Sequence, residues 1–473
     1  MTDQHDPPGS SRTDPGSFRD PGSSVFHRDG EVFRRIDARS LANWERLAET
    51  EFFAHEVAAD RIVETELVSG ASTDDGGEWA AILRHERIPV ISYPYEWTFS
   101  MLRDAALLQL DLLLGALSEG MILKDSTPFN IQWRGCRPVF IDIGSFEILA
   151  EGDVWVGYRQ FLRQYLYPLM LTARVGLPFQ AWLRGQSDGL TAEQLRRVMS
   201  RRDLMRRSAL LHVVLPARAE RNQGPGGRDV RSELKEAGFS REMIEANVKG
   251  LRRIVEKLAW EPGRTRWNRY STDCGHVSSQ RDAKTEFVAN ILGAGTQGVV
   301  WDLGANDGHF SKLAAEKADY VLALDGDEAV LDELYTSLRA SGPDNVLPLV
   351  HDVADPSPGI GWRGLERPPL SERSSPDLIL CLAVIHHLVI GRNVPLVAVI
   401  DWLAAFNARV VLEFVPRNDP MVLGLTANRK PHEIHRDYNE AALRSYLADR
   451  FVIESESQLP GSGRRLFALR PIV

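Results

Sequence analysis

Glycines and short polar residues follow an apolar run in the C-terminal half of the chain. Residues 299–308 read Val-Val-Trp-Asp-Leu-Gly-Ala-Asn-Asp-Gly, the pattern of a buried strand, a glycine-rich turn and the start of a helix. Such a turn allows a nucleoside cofactor to lie against the backbone, where a side chain at Gly304 or Gly308 would obstruct it. Asn306 tolerates a left-handed backbone. Asp302, at the end of the strand, could hydrogen-bond the amino group of a cofactor directly or through water.

Two further apolar runs are also followed by carboxylates. Residues 320–324 precede Asp325, which could bind both hydroxyls of a ribose because one carboxylate accepts two hydrogen bonds at once. Residues 346–350 lie just before Asp352, which could accept from the amino group of an adenine, with the N–H of Val353 available to the ring. Strands and helices that alternate at such short intervals are typical of a parallel α/β sheet.

A dinucleotide site is the alternative interpretation of the glycine-rich turn. That site requires G-x-G-x-x-G, and His309 stands where the third glycine would fall. An acid two residues before Gly304 and a glycine two residues after Asn306 instead resemble the first motif of Rossmann-like, class I S-adenosylmethionine-dependent methyltransferases. Asp325 lies 23 residues after Asp302, which is also similar to the spacing in this superfamily.

The resemblance covers residues 263–473. It implies an α/β fold with a seven-stranded sheet, whose last two strands form an antiparallel hairpin around the Pro-Gly-Ser-Gly turn at 460–463. It also implies S-adenosyl-L-methionine as the cofactor, with no metal. The residues expected to bind the cofactor are Asp302, Gly304, Ala305, Asn306, Gly308, Asp325, Gly326, Asp352, Val353 and Leu382.

Three ionisable residues follow the fourth and fifth apolar runs of this region. His386 and His387 come after residues 377–384, and Glu413 lies near the end of residues 408–414. In an open α/β sheet the acceptor lies beyond the carboxyl ends of the strands, and an unactivated hydroxyl or amine needs a base. We therefore predict that these residues are catalytic, as a base or as a group that orients one. The alternative is that they only pack or line the pocket.

The N-terminal half contains a second polar motif, Leu-Lys-Asp-Ser-Thr-Pro-Phe-Asn at 123–130, followed by Phe-Ile-Asp-Ile-Gly at 140–144. It resembles the catalytic loop and the Asp-x-Gly motif of protein-kinase-like phosphotransferases. The resemblance implies Asp125 as a base, and Asn130 and Asp142 as ligands of Mg²⁺ that would act with ATP.

Several departures from the kinase pattern indicate that this domain is degenerate. Leu123 replaces the expected His, no lysine occurs before Lys124, and the N-terminus has no glycine-rich loop. Arg34 or Arg35 could substitute for the missing lysine. The alternative is a bifunctional kinase–methyltransferase with ATP- and Mg²⁺-dependent phosphotransfer.

The two halves together resemble a group of bacterial methyltransferases related to rhizobial nodulation proteins. The resemblance rests on the two N-terminal motifs and on Ala-Val-Ile-His-His-Leu and Glu-Phe-Val-Pro near the C-terminus. It implies a bacterial cytoplasmic enzyme that acts on a sugar or a secondary metabolite. We therefore predict O-methylation of a carbohydrate or small-molecule natural product. A non-catalytic regulator that binds S-adenosylmethionine is a further alternative.

Length and composition agree with a multidomain globular protein. The chain has 473 residues, 43% hydrophobic, and a formal net charge of -9, which favours neither a nucleic-acid nor a membrane partner. The oligomeric state stays open. We predict a disordered tail over 1–24, an α+β kinase-like domain over 25–185, a helical connector over 186–262, and the methyltransferase domain from 263.

Three arginine pairs lie at 196/197, 201/202 and 206/207 within the predicted connector. On one continuous helix a step of five residues turns each pair by about 140° from the last, so the pairs would not share a face. A solvated helix is therefore favoured over a nucleic-acid-binding one.

Overall fold

The structure is a computed structural model. It describes residues 11–68, 79–222, 240–262, 277–295, 297–427, 429–430 and 435–472. The described residues form two compact units, one within Gln4–Pro262 together with Pro358–Pro368, and one within Gly263–Ser357 together with Pro369–Val473. The described residues of the predicted connector, 186–222 and 240–262, therefore belong to the N-terminal unit.

The N-terminal unit begins with strands β1 to β5, at Ser11–Thr13, Ser23–Arg28, Glu31–Ile36, Thr65–Leu67 and Ala81–His85. They form an antiparallel sheet in the order β1-β2-β3-β5-β4. Asp29 and Gly30 connect β2 to β3 with positive φ angles of 51° and 81°, as a tight hairpin turn requires. Helices α1 (Ala38–Ala48) and α2 (Glu51–Ala58) follow β3.

The predicted disordered tail is wrong for residues 11–24, which belong to this sheet and its loops. β1 pairs with β2, and the Ser17 hydroxyl accepts a hydrogen bond of 2.7 Å from the Val25 N–H. Asp14 Oδ2 lies 3.0 Å from His27 Nε2. The Asp-Pro-Gly-Ser elements form turns between paired strands, which composition alone does not distinguish from disorder. Residues 1–10 lie outside the described residues.

A buried helix and two small hairpins follow. Helix α3 spans Phe99–Ser118, and the hydroxyl of its N-cap, Thr98, accepts from the Met101 N–H. The next strands, β6 to β9, are Met121–Leu123, Ile131–Arg134, Arg137–Phe140 and Phe146–Ile148. β6 pairs with β9 and β7 with β8, both antiparallel. The loops between these strands hold the predicted kinase-like residues.

The rest of the N-terminal unit is helical. Helices α4 to α11 are Tyr158–Phe161, Tyr167–Met170, Gln180–Gly185, Ala192–Val198, Arg201–Leu204, Arg207–Ala209, Leu215–Asn222 and Arg241–Glu256. Short π-helical segments join several of them, at Leu162–Leu166, Leu171–Val175 and Leu210–Val214. On α11, Arg252 Nε donates to Asp111 Oδ1 on α3 at 2.6 Å, which ties the predicted connector to the buried helix.

The C-terminal unit contains the predicted seven-stranded sheet, which is confirmed. Strands β10 to β16 are Gln297–Leu303, Ala318–Asp325, Val346–Val350, Leu378–Cys381, Arg409–Phe414, Phe451–Gln458 and Arg465–Pro471. Their order is β12-β11-β10-β13-β14-β16-β15. The first five are parallel, and β16 is antiparallel to both β14 and β15.

Helices alternate with the parallel strands of this sheet along the chain. Helices α12 to α18 are Val277–Leu292, His309–Ala315, Glu328–Ser341, Leu370–Arg373, Leu396–Ala404, Pro420–Thr426 and Glu440–Ala448. The parallel strands are mostly buried, as continuous Val, Ile and Leu runs in a covered sheet should be. Their carboxyl ends lie at one edge, so the polar residues that follow them are brought together. Within the described residues, no helix has the length and apolar character needed to span a membrane.

Candidate active site

The glycine-rich turn after β10 has a left-handed backbone at three positions. The φ angles of Gly304, Asn306 and Gly308 are 70°, 48° and 72°. A Cβ on Gly304 would lie 2.8 Å from Val384 Cγ2, and one on Gly308 would lie 2.4 Å from Leu334 Cδ1. The left-handed backbone, together with these close side chains, therefore favours glycine at both positions. Sequence reasoning had attributed them only to a bound cofactor.

Asp325 joins the end of β11 to this turn. Its Oδ2 accepts from the Asn306 N–H at 3.1 Å, and its Oδ1 accepts from the Asp327 N–H at 2.9 Å. Burial raises the pKa of Asp325, and the backbone hydrogen bonds from Asp327 and Asn306 act in the opposite direction. Each carboxylate oxygen has a further lone pair, so the group can still accept from a ligand. Asp325 is half-buried, and the next residue, Gly326, is exposed.

Asp302 lies beneath the turn and not on its open side. The residue is 2% exposed, and its Oδ2 accepts from the Ser311 hydroxyl on α13 at 2.6 Å. Burial raises the pKa of Asp302 to about 7, although the Ser311 hydrogen bond lowers it. In this arrangement the carboxyl group holds α13 against β10.

The loops after β11 and β12 are adjacent. A Cβ on Gly326 would lie 3.7 Å from Asp352 Cα. Asp352 Oδ1 accepts from the Ala354 N–H at 2.9 Å, and its Oδ2 forms an ion pair with Arg392. Val353 is half-buried beside it. The residues predicted to bind ribose and adenine therefore lie along one stretch of the sheet edge.

The two histidines after β13 are in contact but differ in exposure. Their ring centroids are 4.0 Å apart. His386 is fully buried, and no described residue hydrogen-bonds either of its ring nitrogens. Burial, together with the neighbouring His387, lowers the pKa of His386 to about 3, so it is neutral at pH 7. His387 is half-buried and is the member of the pair that a ligand can reach.

Glu413 belongs to a buried row of four ion-paired residues in which positive and negative charges alternate: Lys284, Glu413, Arg464 and Asp419. Its Oε2 lies 2.7 Å from Lys284 Nζ and its Oε1 accepts from Arg464 Nη1 at 3.2 Å. Arg464 also binds Asp419 with two hydrogen bonds, of 2.7 Å and 3.0 Å. Both oxygens of Glu413 therefore contact cations, an arrangement that suits a residue holding α12 and the β15–β16 turn in place.

Sequence reasoning missed Lys284, Arg464 and Asp419. Lys284 and Arg464 stand far from Glu413 in the chain, and only the fold brings them to it, while Asp419 reaches this cluster through Arg464. Helix α12, which carries Lys284, also contacts the glycine-rich turn. Arg281 pairs with Asp307 at 3.0 Å. The only available signal was the helical spacing of Arg281 and Lys284.

A second polar cluster lies in the N-terminal unit. Asp142 Oδ1 is 2.8 Å from Arg34 Nη2, and its Oδ2 accepts from Asn130 Nδ2 at 3.2 Å. Arg34 also donates to the Ser23 hydroxyl at 2.9 Å. Burial, followed by the charge of Asp142, raises the pKa of Asp125.

The residues that the kinase resemblance would assign to Mg²⁺ do not fit that role in this arrangement. Asn130 and Asp142 bond to each other, and Asp142 is already paired with a guanidinium. The charge of Asp142 is balanced by Arg34, one of the two arginines considered from the sequence.

The strand order of the C-terminal unit, with five parallel strands and an antiparallel hairpin, defines the class I methyltransferase fold, and its polar residues lie at the carboxyl edge as in that class. No family model matches the chain. Over 461 residues it is 32% identical to the nodulation protein NoeA of Rhizobium meliloti (strain 1021), across 96% of this chain and 94% of NoeA. The chain belongs to the NoeA family of nodulation proteins.

The chain is also similar, over part of its length, to two solved methyltransferases. Magnesium protoporphyrin IX methyltransferase ChlM from Synechocystis PCC 6803, solved with bound S-adenosylmethionine, is 20% identical over 44% of this chain and 86% of its own, with a TM-score of 0.30. The N-methyltransferase NodS from Bradyrhizobium japonicum WM9 is 13% identical over 42% of this chain and 98% of its own, also with a TM-score of 0.30.

Proposed function

We propose that the chain is an S-adenosylmethionine-dependent methyltransferase whose active site lies at the carboxyl edge of strands β10 to β14. The observation that carries this proposal is the position of Asp325. Its carboxylate is fixed by the backbone of Asn306 and Asp327, faces the glycine-rich turn, and is balanced by no cation in the described part of the chain. A carboxylate held in this way binds a ribose through charge-assisted hydrogen bonds.

The other predicted cofactor residues fit this arrangement. The backbone of Gly304, Ala305, Asn306 and Gly308 would hold the cofactor's methionine portion, with Asp302 fixing the turn from below. The adenine would lie along Asp352, Val353 and Leu382. Gly326 keeps the ribose side open. The cofactor supplies a methyl group on a sulfonium, and the residues at the edge bind and orient it.

The acceptor in this proposal is an uncharged hydroxyl of a carbohydrate or small-molecule natural product. Lys284, Glu413, Arg464 and Asp419 neutralise one another, and His386 is neutral, so these buried residues offer an acceptor no net charge. We place the hydroxyl against His387, which takes its proton while His386 supports the ring from below. Glu413 positions Lys284 and Arg464 and does not itself act as a base.

The N-terminal unit, in this proposal, is a degenerate kinase-like domain that contributes an acceptor or partner surface. The order of its elements supports the ancestry: α3, β6, the Asp125 loop, the β7–β8 hairpin, Asp-x-Gly and β9 follow one another as the sequence motif requires. The ion pair between Arg34 and Asp142 supports the loss of phosphotransfer.

The test is enzyme-dependent methyl transfer. The full chain is incubated with methyl-labelled S-adenosylmethionine and an extract of a producing strain that lacks the gene. The products are separated into protein, nucleic acid, lipid, polysaccharide and small molecules. Label in the polysaccharide or small-molecule fraction, lost in Asp325→Ala and His387→Ala, is expected. Label in protein or nucleic acid would contradict the acceptor class. Binding without any transfer, with ATP present or absent, would indicate a regulator.

A further inference from the structure

One segment of the N-terminal unit is strongly basic, although the chain as a whole is acidic. The whole sequence has 56 Lys and Arg against 65 Asp and Glu. Residues 196–218, however, contain seven arginines and one aspartate. This segment includes the three arginine pairs, and the proposed methyl transfer gives it no role.

The arginine pairs do not lie on one helix. The first is on α7, the second on α8, and the third at the start of α9. The calculated rotation between pairs, which assumed a continuous helix, therefore does not apply. Helices α7, α8 and α10 each contact the π-helical segment Leu210–Val214, so the basic residues are brought into one region of the unit.

Large apolar side chains are exposed among these arginines. The exposed fractions are 73% for Met205, 44% for Leu210, 46% for Leu211 and 51% for Leu215. Along the continuous helical stretch 207–218, Arg207, Leu210, Leu211, Leu215 and Arg218 are exposed, whereas Ala209, His212, Val213 and Ala217 are buried. The exposed leucines therefore form a stripe on one face, with an arginine at each end.

Only part of the positive charge is balanced locally. Arg196 and Arg197 pair with Glu193, and Arg206 pairs with Asp203. No described acid forms an ion pair with Arg201, Arg202, Arg207 or Arg218, all of which are exposed. We call the surface formed by these four arginines together with Met205, Leu210, Leu211 and Leu215 the Arg–Leu surface.

We propose that the Arg–Leu surface docks on an anionic lipid bilayer. Exposed leucines and a methionine flanked by arginines match such a surface in two ways: the apolar side chains enter the headgroup region, and the arginines attract anionic headgroups. A single-stranded nucleic acid would instead need exposed aromatic side chains for stacking, and the Arg–Leu surface has none. The positive charge that complements an anionic bilayer is confined to the Arg–Leu surface, so the net charge of -9 for the whole chain did not indicate a membrane partner.

The test is co-sedimentation of the full chain with vesicles. Phosphatidylcholine vesicles are compared with vesicles that also contain phosphatidylglycerol. We expect binding to the anionic vesicles only, and release at high salt. The triple variant Arg201→Gln/Arg202→Gln/Arg207→Gln should bind about a hundredfold more weakly, and Leu211→Ser/Leu215→Ser roughly tenfold more weakly.

The matched control is Met243→Ser/Arg253→Gln on α11, which removes an exposed methionine and an exposed arginine from the same unit outside the Arg–Leu surface. This control should bind as the wild type does. Absence of binding, equal binding to both kinds of vesicle, or binding unchanged in the two surface variants would overturn the proposal. So would a dimer or an RNA complex that the same variants disrupt. Binding of the wild type to anionic vesicles, and its release at high salt, test the proposal without any variant. The test therefore holds even if a variant proves unstable.

Discussion

The two units each contain an aspartate beside a glycine-containing loop, but the partners of these aspartates differ. In the C-terminal unit Asp325 is held by two backbone N–H groups, which fix its position and leave its charge available. In the N-terminal unit Asp142 is held by the Arg34 guanidinium, which balances its charge, and by the side-chain amide of Asn130. Similar residue types thus yield one carboxylate with no cation paired to it among the described residues and one that is paired with an arginine.

The same contrast exists inside the C-terminal unit. Glu413 lies at the carboxyl edge like Asp325, yet it is fully buried between Lys284 and Arg464. A position at the carboxyl edge therefore does not make a residue a ligand of the substrate or cofactor. What distinguishes the two is whether another side chain already satisfies the charge.

The largest expected effect is on stability, from Glu413→Ala. The variant leaves Lys284 without its partner and removes one of the two carboxylates that Arg464 binds, which should reduce the free energy of unfolding of this unit by about 3–5 kcal/mol. The measurement is chemical denaturation monitored on the C-terminal unit. Asp449→Ala, which removes an exposed carboxylate 3.6 Å from Arg450, is the control and should change little. Unchanged stability with abolished methyl transfer would show that Glu413 is catalytic.

Asp325→Ala should act on binding and not on folding. Loss of charge-assisted hydrogen bonds to the ribose should weaken S-adenosylmethionine binding by about 1–3 kcal/mol in a calorimetric titration. Asp319→Ala is the control, because Asp319 is exposed on the same strand away from its carboxyl end. Equal affinity of both variants would mean that the ribose does not lie at the end of β11.

The contrast between Asp325 and Glu413 shows how much of the fold and the site could be predicted from the sequence. The sheet was predictable because five apolar runs are each followed by polar residues at short intervals, and Val346–Val350 has the predicted bounds. The role of Glu413 was not predictable, because the two cationic side chains that contact it come from α12 and from the turn before β16. The ordered segment 11–24 and the placement of Pro358–Pro368 with the N-terminal unit also depend on long-range contacts that carry no local signal.

The buried histidine should make the C-terminal unit sensitive to acid. The pKa of His386 is lowered from 6.5 to about 3, so below pH 6.5 the unfolded chain binds a proton that the folded chain does not. The stability is therefore lost progressively as the pH falls from about 6.5 to about 3, by roughly 2 kcal/mol at pH 5. The difference in the free energy of unfolding between the wild type and His386→Gln, measured across this pH range, isolates the effect. His55→Gln, at an exposed histidine, should leave the slope unaltered.

The smallest expected effect is that of Arg34→Met in the N-terminal unit. Loss of the partner of Asp142 should reduce the stability of that unit by about 1–2 kcal/mol and leave S-adenosylmethionine affinity unchanged. Differential scanning calorimetry and a cofactor titration on the same sample measure both. A bifunctional enzyme would behave differently: the wild type with ATP and Mg²⁺ would yield a phosphorylated product that Asp142→Ala abolishes.

The most direct test of the central claim is a calorimetric titration of the full wild-type chain with S-adenosylmethionine, repeated with NAD⁺. The account predicts one S-adenosylmethionine bound per chain, displaced by S-adenosylhomocysteine, and no heat from NAD⁺. Binding of NAD⁺ in its place, or no binding of S-adenosylmethionine to a folded chain, would contradict the assignment of the carboxyl edge as a methyltransferase site.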